Sequence, residues 1–199
     1  LSKQRFIMED PETGFAGTQL LRISDKFNAF EKILWSGQNI SSSVANMQSF
    51  ADWYIFSEWL KNEDMMTSDD YLTMNEDYVL SMGPIWEQSQ SFGVTDRYDI
   101  EGWIAADNPL VGKLLENGQF KKLVKERLSN LLSNEAKILQ LVNKICDDVS
   151  ASVVANNNVL NASTDVQNTK EQMQSTIAKD RQQMSEWLIN RLKWMQSNF

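Results

Sequence analysis

Histidine is absent from the 199-residue sequence, and cysteine occurs once, as Cys146. The absence of histidine excludes Ser-His-Asp and Cys-His catalysis, imidazole metal ligands and the usual general base near pH 7. A single cysteine excludes an internal disulfide, so the cysteine content does not indicate the redox compartment. Any chemistry must therefore use carboxylates, lysine, tyrosine or a metal ion held by oxygen ligands.

The sequence also lacks long apolar runs and an excess of positive charge. No stretch approaches the roughly 18 consecutive apolar residues of a membrane-spanning helix, so no membrane span is predicted. Acidic residues number 27 against 19 basic residues, which gives a formal net charge of −8. Because nucleic-acid-binding surfaces are basic, nucleic acid is not an expected partner. The first residue is Leu1 rather than Met, and we therefore expect this chain to be part of a longer polypeptide.

Apolar residues make up 42% of the sequence, which is enough for a packed core, and most of them follow a helical period. The spacing predicts an amphipathic helix from about Thr18 to Trp35. A second helix, Phe50 to Lys61 with Ser49 as its cap, carries aromatic residues around nearly its whole circumference, which is typical of a helix buried on most sides. From Asn108 onward the pattern is helical throughout.

One segment has the alternating pattern of β-strands. Two short runs, Tyr71 to Met74 and Tyr78 to Ser81, flank Asn75-Glu76-Asp77 and predict a hairpin. The predicted fold class is therefore mainly α (α+β), with a helical core, one small β-hairpin and a C-terminal helical bundle. We predict that the core occupies residues 1–107 and the bundle residues 108–199, and that the two are continuous as one domain.

Polar residues concentrate at two places beside this scaffold. Lys61-Asn62-Glu63-Asp64 ends the aromatic helix, and residues 83–93 follow the hairpin. A helix end and a post-hairpin turn can together hold two carboxylates and a Mg²⁺, which proteins bind through one or two carboxylates plus substrate phosphates. In the simpler interpretation, Asn62 to Asp64 only end a helix, and Glu87 and Ser89 are ordinary turn residues.

The same residues carry a resemblance to the CotH kinase family, the spore coat protein H-like atypical kinases. In that family a helix ends in K-N-x-D, a hairpin leads to G-P-x-W-D-x-D-x-x-F-G, and a later helix contains F-x-x-x-x-x-x-R-L. The corresponding residues occur here in the same order: Phe50 to Tyr54, Lys61-Asn62-Glu63-Asp64, Gly83-Pro84-Ile85-Trp86, Phe92-Gly93, and Phe120 to Arg127-Leu128. The chain resembles the C-terminal half of the family's domain.

The resemblance implies that Asp64 is the catalytic aspartate and Glu87 a metal ligand. However, where the family has W-D-x-D, this chain has Trp86-Glu87-Gln88-Ser89. The first carboxylate is thus one methylene longer, and a hydroxyl replaces the second. The sequence also has no glycine-rich phosphate loop, so no nucleotide-binding residue is identified, although phosphoryl transfer needs positioning and charge neutralisation together.

These departures favour a catalytically degenerate CotH-like domain that acts structurally or by interaction, with no cofactor expected for this chain. A second hypothesis is a protein phosphotransferase that uses ATP and Mg²⁺ once a missing N-terminal half supplies the nucleotide site. A third is a cell-surface module that binds glycan or protein through aromatic residues near 96–103. The expected partner is another protein or the upstream segment of the same polypeptide, and the resemblance allows an exported or cell-surface location.

We predict that Ser89→Asp raises the affinity for Mg²⁺ or Mn²⁺, because it restores a second hard oxygen ligand at the position that matches the family. Calorimetric metal titration and thermal shift of the wild type, Ser89→Asp and a Ser89→Ala control would measure this, in a polypeptide that includes the upstream half. Unchanged affinity in a folded Ser89→Asp protein would place the metal site elsewhere than at Glu87 and Ser89.

Overall fold

A computed structural model of the chain describes residues 1–3, 6–7, 16–62, 64–65, 70–88, 91, 99–105, 107–160 and 170–199. These residues form six helices and one two-stranded antiparallel sheet, which confirms the predicted mainly α fold class. In chain order the elements are α1 (Gly17–Trp35), α2 (Met47–Leu60), β1 (Leu72–Met74), β2 (Leu80–Met82), α3 (Pro109–Glu116), α4 (Gly118–Ser133), α5 (Glu135–Leu160) and α6 (Lys170–Asn198).

The chain divides into two compact units, Leu1–Leu128 and Ser129–Phe199. The domain boundary predicted between residues 107 and 108 stays a prediction. None of the helices in the described parts of the chain combines the length and the apolar character needed to cross a membrane.

The helix α2 is the buried centre of the first unit, as its aromatic composition predicts. Ten of its 14 residues are buried. Its N-cap differs from the prediction: the side chain of Asn46, not Ser49, accepts a hydrogen bond from the backbone N–H of Ser49 at 3.3 Å. The Ser49 hydroxyl instead accepts the backbone N–H of Met82 at 3.0 Å. Asparagine satisfies a backbone N–H at the start of the helix, as serine would. Ser49, which was predicted as the cap, instead joins α2 to β2.

The predicted hairpin is present, with Thr73 opposite Ser81. Its turn is closed by the side chain of Asn75, whose oxygen accepts the backbone N–H groups of Asp77 and Val79 at 3.1 and 2.8 Å. The other edge of β2 is bound to the chain just before α2, because Leu80 donates to the carbonyl of Val44 at 3.0 Å and accepts from Asn46 at 2.8 Å. These bonds hold the hairpin against the N-terminal end of α2.

The helix α1 forms where its periodicity predicts it, but only part of its apolar face is covered. Phe30 is completely buried, and its ring lies 5.3 Å from that of Phe50, measured between centroids. Nearer the N-terminal end of the helix, Leu20 is 52% exposed and Leu21 is 66% exposed. Only the C-terminal half of α1 therefore contributes to the core of the first unit.

Two asparagines set the start of α3 and of α4. Asn108 accepts the backbone N–H groups of Leu110 and Val111 at 2.9 and 3.1 Å, directly before the proline that opens α3. Asn117 accepts the N–H of Phe120 at 3.1 Å. Phe120 is fully buried, and its ring packs edge-on against Tyr54 of α2 with the centroids 5.8 Å apart. Local caps thus set where α3 and α4 begin, and Phe120 packs α4 against α2.

The second unit is built on an antiparallel pair of long helices, α5 and α6. Asp147 of α5 accepts from Arg181 of α6 at 2.6 Å, and Glu135 lies 3.3 Å from the ammonium group of Lys193. Among the residues of α6, Trp187, Leu188, Leu192 and Met195 are buried. The C-terminal part of the chain is therefore helical, as predicted.

We predict that Phe30→Ala lowers the free energy of unfolding by about 3–5 kcal/mol, because it removes a fully buried aromatic side chain and leaves a cavity. The matched control is Leu21→Ala on the same helix, where an exposed side chain is removed and a change within about 0.5 kcal/mol is expected. Urea denaturation followed by circular dichroism measures both values. Equal losses for the two variants would contradict a core that includes Phe30 and leaves Leu21 outside.

Candidate functional site

The structure describes Asp64 and Glu87, the two carboxylates singled out by the sequence. Asp64 is half-buried in the turn that follows α2, and Glu87 is exposed in the segment that follows β2. Ser89, and the prediction made for it, lie outside the described residues. The part of the chain that is described contains no group of three or more Cys, Asp or Glu side chains suited to a metal ion. The catalytic role of Asp64 and the metal-binding role of Glu87 therefore stay predictions.

The turn that carries Asp64 is built by the two residues before it. Lys61 ends α2 in the left-handed conformation, with φ 51°, and its backbone N–H bonds to the carbonyl groups of Ser57 and Glu58. Asn62 is 3% exposed, and its side-chain oxygen accepts the backbone N–H of Asp64 at 3.2 Å. This side-chain turn fixes the direction in which the chain leaves the helix.

The ammonium group of Lys61 binds backbone carbonyls. It donates to the carbonyl oxygen of Asp99 at 2.7 Å and to that of Glu101 at 2.6 Å. Both bonds join the C-terminal end of α2 to the segment 99–105. The Lys61 side chain thus holds the main chain.

Glu58, about one turn earlier on α2, also binds this segment. It is completely buried, and its carboxylate accepts the backbone N–H of Ile104 at 3.0 Å and that of Ala105 at 3.0 Å. Burial of a carboxylate is costly unless it is hydrogen-bonded, and these N–H donors offset that cost. Glu58 and Lys61 together attach residues 99–105 to the end of α2.

The segment that carries Glu87 makes hydrogen bonds through the side chain of Gln88. The side chain of Gln88 donates to the carbonyl of Trp86 at 3.1 Å and accepts from the hydroxyl of Ser91 at 3.1 Å. Trp86 is 54% exposed, and its ring lies edge-on to that of Tyr71 with the centroids 5.5 Å apart. Trp86 and Glu87 are thus consecutive exposed residues of this segment.

An ion pair links two of the motifs that carry the family resemblance. Nε of Arg127 on α4 lies 3.0 Å from a carboxylate oxygen of Asp52 on α2. Partial burial raises the pKa of Asp52, and the charge of Arg127 lowers it, with a net upward shift. The pair is partly exposed, so its net contribution to stability is small. It is one of the contacts between α4 and α2, beside that of Phe120 with Tyr54.

Sequence reasoning missed Glu58, the destination of the Lys61 ammonium group, and the pairing of Asp52 with Arg127. The available signal for Glu58 was its position, since it is an acid inside a helix otherwise rich in aromatic residues. A buried charge of that kind requires donors. The sequence does not show that residues 104 and 105 supply them, because they lie more than 40 positions away.

We predict that Glu58→Gln lowers the free energy of unfolding by about 1.5–3 kcal/mol. The variant loses the charge of the acceptor, which weakens the hydrogen bonds, and its NH2 group replaces one of the two oxygens that face the backbone N–H donors. Hydrogen exchange at the amides of Ile104 and Ala105 should accelerate in this variant. Glu126→Gln, at a largely exposed position of α4, is the control and should change neither quantity measurably. Unaltered protection at both amides in Glu58→Gln would show that this carboxylate does not hold the segment.

Comparison with known proteins places this arrangement in a family. The model of the family described as CotH kinase protein matches residues 18–195, a range that contains Asp64, Glu87 and the pair of Asp52 with Arg127. No curated protein and no solved structure matches the chain. Since the family model covers most of the sequence, from the start of α1 to near the end of α6, the chain belongs to the CotH kinase family.

Proposed function

We propose that this CotH kinase domain is catalytically degenerate and acts structurally or by interaction. The observation that carries the proposal is the use of the motif residues before Asp64. Lys61 donates to two carbonyl groups, and Asn62 closes the turn on Asp64. Both polar side chains are thus used to hold the backbone, and the order of the motifs along the chain is compatible with a retained scaffold.

The ligand set supports the same proposal. Mg²⁺ is bound by hard oxygen ligands in near-octahedral geometry, usually one or two carboxylates with substrate phosphates. At the position of the family's W-D-x-D, this sequence offers the carboxylate of Glu87 and the hydroxyl of Ser89. A neutral hydroxyl in place of a carboxylate lowers the local negative charge by one unit and weakens the attraction for a divalent cation.

A second function, protein phosphotransfer, is favoured by a specific observation. Asp64 is retained on a turn closed by Asn62, and the side chain of Glu87 is exposed. In this alternative Glu87 replaces the metal-binding aspartate, and an upstream segment of the polypeptide supplies the nucleotide site. Mg²⁺ would then neutralise the phosphates, and Asp64 would accept the proton of the attacking hydroxyl.

The third hypothesis, a cell-surface module that binds glycan or protein, receives less support from the region that suggested it. Of the aromatic residues near 96–103, Tyr98 lies outside the described residues. Trp103 is half-buried and stacks on Tyr54 of α2, with the centroids 6.2 Å apart. Trp103 therefore contributes to packing. Among the described residues of the first unit, the exposed tryptophan is Trp86. An exported or cell-surface location stays a proposal.

We predict that calorimetric titration of this chain with Mg-ATP gives no measurable binding. The reason is that the sequence offers no phosphate loop and that Lys61 is bonded to the main chain. Asp64→Asn is titrated in parallel, so that any heat can be assigned to the site or to nonspecific binding. A dissociation constant in the low micromolar range that is lost in Asp64→Asn would overturn the degenerate assignment and favour the phosphotransferase.

A further inference from the structure

The helix α5 has an apolar face that no described residue covers. Leu141, Ile145, Val149 and Val153 follow one another at steps of four, and their exposed fractions are 58%, 51%, 46% and 40%. We call this set the α5 ridge. Sequence periodicity predicts these residues to face a core, and the structure shows that they do not.

The α5 ridge is distinct from the face that α5 uses to contact α6. A cleft between the two helices is lined by Ser150 and Val154 on α5 and by Ile177 and Arg181 on α6. At about 100° per residue, Ser150 and Val154 lie on the opposite side of the helix axis from the centre of the ridge. The helix α5 therefore presents one surface to α6 and a second, more apolar surface to solvent.

A row of apolar residues at steps of four is a packing surface for another helix. Ridges of this type interlock with the same type of ridge on a partner, at an interaxial angle of about −50°. Contiguous exposed apolar surface in a soluble domain marks an interaction site. Contact between two such ridges is greatest at their midpoints, which here lie between Ile145 and Val149.

The charges beside the α5 ridge are complementary to themselves. Lys144 and Asp148 lie along the same flank of the ridge, form an ion pair with each other, and have side chains that are 70% and 59% exposed. In an antiparallel pair of identical helices the same flanks face each other. With residue 147 at the two-fold axis, Lys144 lies about 3 Å along the axis from Asp148 of the second copy, at about 1.5 Å of rise per residue. Two intermolecular ion pairs can therefore form.

We propose that the α5 ridge is the interface of a two-fold symmetric homodimer, in which a second copy of this chain packs its own α5 antiparallel against it. Such an interface is self-complementary in both its apolar and its charged parts, as two-fold symmetry requires. The inference goes beyond the proposed function, and it holds whether or not the domain transfers phosphoryl groups. A parallel pair fits less well, because it places the Lys144 and Asp148 flank against the opposite flank.

The surface is small, and small interfaces are typical of weak, transient complexes. One pair of crossing helices lies at the low end of interface areas, so we expect a reversible dimer with a dissociation constant on the order of 10–100 µM. Sedimentation velocity of the 199-residue chain over a concentration series from about 5 to 500 µM covers this range.

The first test replaces the centre of the ridge. Ile145→Glu should make the chain monomeric throughout the series, because it places a charge at the point of closest approach in each copy. Leu21→Glu, an equally drastic change at an exposed leucine of α1, is the matched control and should dimerise as the wild type does. Circular dichroism checks that both variants keep their helical content. A wild type that stays monomeric at the highest concentration, or an Ile145→Glu variant that still dimerises, overturns the proposal.

The second test separates intermolecular ion pairing from the pair within one helix. Lys144→Asp gives a flank with two acids, and Asp148→Lys gives a flank with two lysines. Each variant alone should dissociate at least about tenfold more readily than the wild type, and an equimolar mixture should form a heterodimer at least as strong as the wild-type dimer. No heterodimer in the mixture would overturn the antiparallel arrangement. Binding of the monomer to an upstream segment, another protein or lipid vesicles through Ile145 would assign the ridge to that partner instead.

Discussion

Glu58 is a buried acid on α2, whose other buried side chains are mostly aromatic or aliphatic. The arrangement of the chain around Asp64 depends on the hydrogen bonds that the Glu58 carboxylate accepts. The backbone N–H groups of Ile104 and Ala105 bind it, and this brings residues 99–105 against the end of α2. The Lys61 ammonium group then binds two carbonyl groups of the same segment. A buried acid that requires donors thus determines where a distant stretch of chain must lie.

This use of charge bears on the function of the domain. The family's helix-end motif offers a lysine, an asparagine and an aspartate within one turn, and in this chain the first two hold the main chain. The pair of Asp52 with Arg127 also joins two elements of the scaffold. Among the described residues, the side chains of Lys61, Asn62, Asp52 and Arg127 therefore take part in contacts that maintain the fold.

Uncovered apolar surface occurs in both units. It shows that a helix can form without its apolar face being buried. In the first unit the N-terminal half of α1 exposes Leu20 and Leu21, and in the second unit α5 exposes the ridge from Leu141 to Val153. Both segments are regular helices. Amphipathic spacing gives a helix one apolar face, but the free energy of covering that face is gained only when a partner surface is present. The α5 ridge has self-complementary charges beside it, which is the basis for assigning a second copy to it.

The sequence by itself determined the described helices, the hairpin and the family, because these depend on residue spacing and on short motifs within a few turns of chain. Some helix bounds shift, as when Asn46 replaces Ser49 as the cap of α2 and when α5 continues to Leu160. The tertiary structure alone decided that Glu58 and Lys61 bind residues 99–105 and that Arg127 pairs with Asp52. It also decided which apolar faces are covered. These contacts join residues 38 to 75 positions apart. Many backbone donors and apolar faces have the same chemistry, so which of them meet is decided by tertiary packing and not by local spacing.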